Sequence, residues 1–319
     1  MTGPQTEGPA PLFDEAFLRK LERLAVLSRR ALAGQMQGER RSPKRGQSVE
    51  FADFRPYAPG DDFRRIDWNA YARLERFFLK LFVEEQDLTV HVLVDTSLSM
   101  EWGEPNKLRF GLRAAGALGY VALAGLDRVT VTALGASGEG SPAYFPPHRG
   151  KQQANALFQF LVGLEARGTT DLRRSLGRYA ARAQQPGPLI VISDLMDSAP
   201  AAAGPANLPE VLDRREGAEG LNALAARGFE VTLLHVLSPD ELRPELAGDL
   251  KLRDLETGAE VEITADDALL RRYRDNLAAW QDDLRRFCGP RGMHYVPVET
   301  TLPLEELLFA WLRQQAVLR

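Results

Sequence analysis

The sequence is poor in the side chains that hold most transition metals and form disulfides. Cys288 is the one cysteine among 319 residues, which excludes a disulfide framework and a thiolate metal cluster. The four histidines are scattered. His91, His235 and His294 fall in or beside expected strands, where packed, hydrogen-bonded imidazoles are the ordinary case; His148 falls in a loop with no evident partner. Positive charge is not in excess: the formal net charge is −4, so no global basic field points to nucleic acid. No run of about 18 apolar residues occurs. The opening MTGPQTEGPAPLFDEAF has neither the basic start nor the apolar core of a signal peptide. These absences lead us to expect a soluble, cytoplasmic protein with no membrane span. Two catalytic signatures are also missing. The Gly135–Gly140 stretch is no phosphate loop, since no Lys-Ser/Thr pair closes it and no helix follows directly. No Gly-x-Ser-x-Gly elbow marks a serine hydrolase.

What is present is an alternation. Apolar, β-branched runs at Leu88–Asp95, Val129–Leu134, Leu189–Ser193, Phe229–Leu237 and Met293–Val298 read as strands. Segments of helical period separate them: Lys107–Gly125, Gln152–Leu164, a helix from Asp171, Val211–Arg227 and Asp267–Cys288, with Pro303–Leu318 last. Tyr144-Phe145 reads as a short edge strand, and Asp249–Thr264 as a β-hairpin about Thr257-Gly258. This order predicts an α/β fold of three layers, with a mostly parallel central sheet and helices on both faces. Upstream, a Pro/Gly-rich tail and a helix from Asp14 to Gln35 occupy residues 1–35. Residues 36–86 are basic, then aromatic, and are expected to pack on the main domain, residues 87–319.

In parallel sheets, sites form beyond the carboxyl ends of the strands. There the first core strand ends in Asp95-Thr96-Ser97-Leu98-Ser99. One carboxylate and two hydroxyls at alternating positions are hard oxygen ligands of the kind Mg²⁺ prefers. The same residues also suit a plain polar turn. Asp194 follows another apolar strand and belongs at the same edge.

Three separated pieces, Asp95-Thr96-Ser97-Leu98-Ser99, Gly168-Thr169-Thr170-Asp171-Leu172 and Ser193-Asp194, resemble the von Willebrand factor type A fold with its metal-ion-dependent adhesion site. The segment SVEFADFRPYAPGDDFRRIDWNAYAR, the later LRDLETG hairpin and the ending from Tyr295 to Leu308 are similar to the bacterial family called domain of unknown function 58. Longer members of that family carry N-terminal membrane helices. The resemblance implies a metal, Mg²⁺ with Mn²⁺ or Ca²⁺ as alternatives, held by the hydroxyls of Ser97, Ser99 and Thr170. Asp95 and Asp194 would act directly or through water. Thr169 stands where a second glycine is commoner, and Thr170 is the residue taken as ligand; it would also cap the helix that follows.

The resemblance further implies a non-enzymatic protein-binding module. A partner would offer an Asp or Glu to the metal, and that partner would be a MoxR-type AAA+ ATPase or its client. A metal-dependent phosphoester hydrolase is the alternative; the haloacid dehalogenase pattern, however, needs an aspartate where Ser97 stands. Arg55, Tyr57, Asp61, Asp62, Arg64, Asp67 and Trp68 form a second candidate partner-binding set in the charged, aromatic segment. Finally, two like charges held close without a metal repel, so Asp194→Asn is expected to relax the metal-free form.

Overall fold

In the computed structural model, residues 12–24, 51–58, 61, 63, 66–82, 88–135, 142–169, 171–196 and 216–309 are described. They belong to two units: residues 1–30 with 88–318, and residues 31–87.

The larger unit is built on β3 (Thr89–Asp95), in which every residue is buried. A strand covered on both faces has no solvent side, which is why its sequence reads as almost continuously apolar. β4 (Arg128–Leu134) and β6 (Pro188–Ser193) flank it, both parallel to it. β7 (Glu230–Leu237) and β10 (His294–Glu299) extend the parallel array, and β5 (Tyr144–Arg149) closes the other edge antiparallel to β4. The order across the six-stranded sheet is β10-β7-β6-β3-β4-β5.

Alternation along the strands feeds two cores. Val90, Val92 and Val94 join Val131, Ile190, Ile192 and Val236 on one face, beneath α3 (Lys107–Ala124) and α4 (Ala154–Val162). Leu93 joins Leu189, Val191, Val231 and Leu233 on the other, with α5 (Leu172–Arg182), α6 (Glu216–Ala226) and α8 (Asp267–Cys288). Nearly all of α3 is buried, and small residues make that possible. A Cβ at Gly119 would lie 2.7 Å from Leu157 Cδ2, so this glycine lets α4 close on α3.

The first helix, α1 (residues 15–24), belongs to this unit. Asp14 starts it by accepting from the Phe17 amide at 2.6 Å. Phe13, Phe17, Leu21 and Leu24 recur at helical spacing and are buried in the same cluster as α3 and α4. Phe13 stacks on Phe17 and meets Phe158 of α4 edge-on. At the far end, α9 (residues 304–309) adds Leu304, Leu307 and Leu308 to that core. A one-turn helix, α7 (Pro239–Leu242), leads from β7 towards the exposed hairpin of β8 (Gly248–Arg253) and β9 (Glu260–Ala265).

The smaller unit pairs β1 (Phe51–Pro56) antiparallel with β2 (Phe78–Phe82) around the short helix α2 (Trp68–Leu74). The sequence pattern had marked neither β1 nor α2, because charge and aromatics there follow no clean period. Asp67 caps α2, accepting from the amides of Asn69 and Ala70. Tyr71 stacks on Phe77 at 4.4 Å between ring centres. Arg55 grips Asp61 through two bonds, at 2.9 and 2.6 Å.

Candidate metal-binding edge

β3 and β6 run parallel and side by side, so the residues that end them meet at one sheet edge. Asp95 is the last residue of β3 and is wholly buried. Its Oδ1 accepts from the Ser97 amide at 3.0 Å, which folds the chain back in a tight corner. Its Oδ2 accepts from the hydroxyl of Ser193, the last residue of β6, at 2.6 Å. Thr96 holds the corner to β4: its amide and hydroxyl both donate to the Leu134 carbonyl, at 2.6 and 2.8 Å. Gly135 follows with φ +127° and presses against Thr96 and Ser97.

The corner turns the hydroxyls of Ser97 and Ser99 together, 2.9 Å apart in a shared hydrogen bond. Ser97 is buried and Ser99 half-buried. The loop before α5 is drawn alongside, since the Arg167 amide donates to the Thr96 carbonyl at 2.7 Å and the Leu98 amide to the Gly168 carbonyl at 3.0 Å. Thr170, in that loop, lies outside the described residues. The cap of α5 is Asp171, which accepts from the Arg174 amide at 2.7 Å, so the capping role expected of Thr170 falls to its neighbour. An aspartate cap suits the helix N-terminus because its charge meets the positive end of the helix dipole.

Asp194 follows β6 and is wholly buried. Its Oδ1 accepts from the Met196 amide at 3.0 Å. Between them Leu195 adopts φ +58°, a left-handed conformation that a side chain such as leucine seldom takes. Asp194 Oδ2 accepts from Lys107 Nζ at 2.7 Å. Lys107 opens α3, is itself fully buried, and also donates to Glu241. Glu241 is fixed in turn by a capping box with Ser238, whose amide and hydroxyl both donate to Oε2 at 2.7 and 3.1 Å. Burial opposes the charge on Lys107, but Asp194 and Glu241 outweigh it and raise the ammonium above the usual lysine range. The like-charge argument for Asp194 therefore needs correcting. This carboxylate is held against an ammonium, and its removal strips a buried cation of one partner.

Sequence reasoning found Asp95, Ser97, Ser99 and Asp194, and the structure brings all four to one edge. It missed Lys107 and Glu241. Ser238-x-x-Glu241 carries a readable capping-box signal, but nothing in the sequence says where a lysine opening a helix will point. Among the described residues, no three His, Cys, Asp or Glu side chains group as metal ligands; the donors converging here are two hydroxyls beside one carboxylate. Hydroxyl and carboxylate oxygens of this kind suit a hard cation. Both carboxylates have a protein donor on each oxygen, but Asp194 fits less simply than Asp95, since one of its donors is the Lys107 ammonium.

Of the histidines expected to be packed, His91 and His235 are buried and hydrogen-bonded, while His294 is half-buried. His91 Nδ1 bonds the Tyr179 hydroxyl and His235 Nδ1 that of Tyr295, both at 2.6 Å. His148 does have a partner, the Pro146 carbonyl at 2.6 Å, and stacks on Phe145. Of the second candidate set, Arg55 and Asp61 pair with each other and Asp67 caps α2. Tyr57 meets Phe77 edge-on, and Trp68 is 59% exposed. Asp62 and Arg64 lie outside the described residues.

The sheet order, the antiparallel edge strand and the two helical layers define a three-layer α/β domain of von Willebrand factor type A-like arrangement. The chain belongs to the family described as protein of unknown function DUF58, which it matches over residues 53–283. It is 26% identical over 280 residues to the uncharacterized protein Rv1480 of Mycobacterium tuberculosis strain H37Rv, covering 86% of this chain and 81% of that one. Mb1516 of Mycobacterium bovis matches to the same extent. Among solved structures, BatB from Bacteroides thetaiotaomicron aligns at 15% identity and TM-score 0.42, over 73% of this chain and all of that one. An aerotolerance-related membrane protein from Bacteroides fragilis aligns at TM-score 0.41, also at 15% identity and over the same shares. No described helix of the present chain is long and apolar enough to cross a membrane.

Proposed function

We propose that this chain is a non-enzymatic, metal-dependent protein-binding module of the cytoplasm, working as an adaptor for a MoxR-type AAA+ ATPase or its client. The observation that carries the reading is the Ser97–Ser99 hydroxyl pair, 2.9 Å apart, at the carboxyl end of the strand that supplies Asp95. Ser97, Ser99 and Thr170 would hold Mg²⁺ through neutral oxygens. Asp95 would complete the set, with Asp194 acting through water. Mg²⁺ favours six oxygen ligands and retains water readily, so its chemistry here would be to anchor an Asp or Glu carboxylate from the partner. Neutral hydroxyls quench little of an ion's charge, which favours an anionic partner group. The ATPase itself is a separate protein, since no phosphate loop was found in this chain.

The test is capture of a MoxR-type ATPase from the same cell on the immobilised full chain, with Mg²⁺ or with EDTA. Asp95→Ala and Ser99→Ala should each abolish Mg²⁺-dependent retention while the circular dichroism spectrum stays unchanged. Retention that survives both substitutions and excess EDTA would rule out the metal as the anchor, and would move the interaction to the segment around Arg55 and Trp68.

A further inference from the structure

The strongest unexplained feature of the site edge is a fully buried lysine. The Lys107 side chain is 1% exposed and its two acceptors, Asp194 and Glu241, are 0% and 12% exposed. A lysine seldom enters a core unless it is paired, and this one is paired with the carboxylate that the adhesion-site pattern assigns to the metal. We propose that Lys107 is a tethered cation that competes with the divalent ion for Asp194, and that Glu241 is where its ammonium rests when the ion is bound. The inference rests on the metal-dependent reading above and concerns the regulation of that site.

Three observations support it. First, each oxygen of Asp194 already accepts from the protein, Oδ1 from the Met196 amide and Oδ2 from Lys107. A cation approaching this carboxylate meets an ammonium already in place, and the two repel. Second, Lys107 has a prepared alternative. Glu241 is held by the amide and hydroxyl of Ser238, and its own carbonyl accepts from the Tyr273 hydroxyl of α8 at 2.8 Å. The ammonium can therefore release Asp194 without becoming an unpaired buried charge, which would be prohibitive. Third, the formal charges match. Asp95, Asp194 and Glu241 against Lys107 leave a net charge of two negatives at this edge, which one divalent cation neutralises.

Metal occupancy is then linked to α7, where Glu241 sits, just ahead of the β8–β9 hairpin. Linkage is reciprocal: whatever strengthens the Lys107–Glu241 pair frees Asp194 and tightens metal binding, and metal binding strengthens that pair.

The experiment is direct titration of the full chain with Mn²⁺, reading free ion by electron paramagnetic resonance, with thermal melting in parallel. The decisive variant is K107M/E241Q. It removes one charge of each sign, so the net charge of the edge stays as in the natural chain and no buried partner is orphaned on Glu241. It should bind Mn²⁺ about tenfold tighter, within the usual span of coupling between sites. E241Q alone leaves Lys107 with Asp194 as its acceptor and should bind more weakly. Binding by the natural chain with no gain in K107M/E241Q, or with no loss in E241Q, overturns the competition while leaving the metal site standing. No binding by the natural chain but binding by K107M/E241Q supports it in its strongest form. Absence of binding in both overturns the metal reading and this inference together.

Discussion

Ser193 donates its hydroxyl to Asp95 Oδ2 at 2.6 Å, joining the ends of two neighbouring parallel strands through side chains. The same hydroxyl oxygen accepts from the Leu195 amide at 2.9 Å, so it also shapes the turn that carries Asp194. Both residues are wholly buried, and a buried bond to a charged group is worth about 1.5–3 kcal/mol. Ser193→Ala should therefore lower the unfolding free energy by about 2 kcal/mol, measured by urea denaturation. A change too small to resolve would mean that Asp95 is satisfied without it.

Gly135 follows the strand next to this corner with φ +127°, and a Cβ there would fall 2.9 Å from Thr96 Oγ1 and 3.2 Å from the Ser97 nitrogen. Both the backbone angle and the space forbid a side chain. Gly135→Ala should cost about 1–3 kcal/mol and displace Ser97. A lower melting temperature that no longer responds to Mg²⁺ would show both effects; unchanged behaviour in both would show that the corner tolerates a shift.

Burial pushes the His91 and His235 imidazoles down to about 4, opposed for His235 by nearby Asp194. The unfolded chain holds these protons with a pKa near 6.5, so between about pH 6.5 and 4 it binds more protons than the folded one. Stability should be full above that window and fall as pH drops through it. His91→Asn should remove part of the slope in the dependence of melting temperature on pH. An identical slope would assign the acid sensitivity to other groups.

Asp194→Asn should destabilise the metal-free protein by about 1.5–3 kcal/mol, the worth of a buried bond to a charged group, because Lys107 loses one carboxylate and keeps Glu241. On the like-charge view the same variant would be neutral or stabilising. For the natural chain, Mg²⁺ should raise the melting temperature over that in EDTA by ligand linkage, and Asp194→Asn should lose most of that increment. Calorimetry with and without Mg²⁺ separates the two accounts, since only the ion pair predicts a lower melting point in EDTA.

The fold was legible where burial imposes a period. A strand covered on both faces reads as an apolar run, and α8 was bounded at Asp267 and Cys288 by its cap and its amphipathic spacing. Phe77–Glu84 reads as a strand and contains β2, but residues 51–76 resisted the same reading, because their order comes from a two-stranded pairing, an Asp67 cap and stacked rings that leave no clean period. In the site, Asp95, Ser97 and Ser99 were legible because five consecutive residues make a corner whose bonds are local, such as the Ser97 amide to Asp95.

What the sequence determined by itself is therefore this edge and its oxygen donors: short-range hydrogen bonds and strand periodicity depend on neighbours along the chain. What only the tertiary structure decided is the charge that meets them. Lys107 lies 87 residues from Asp194 and 134 from Glu241, and as a lysine opening a helix it could as well have faced water. Packing of α3 on the sheet buried it, and desolvation then required it to find carboxylates.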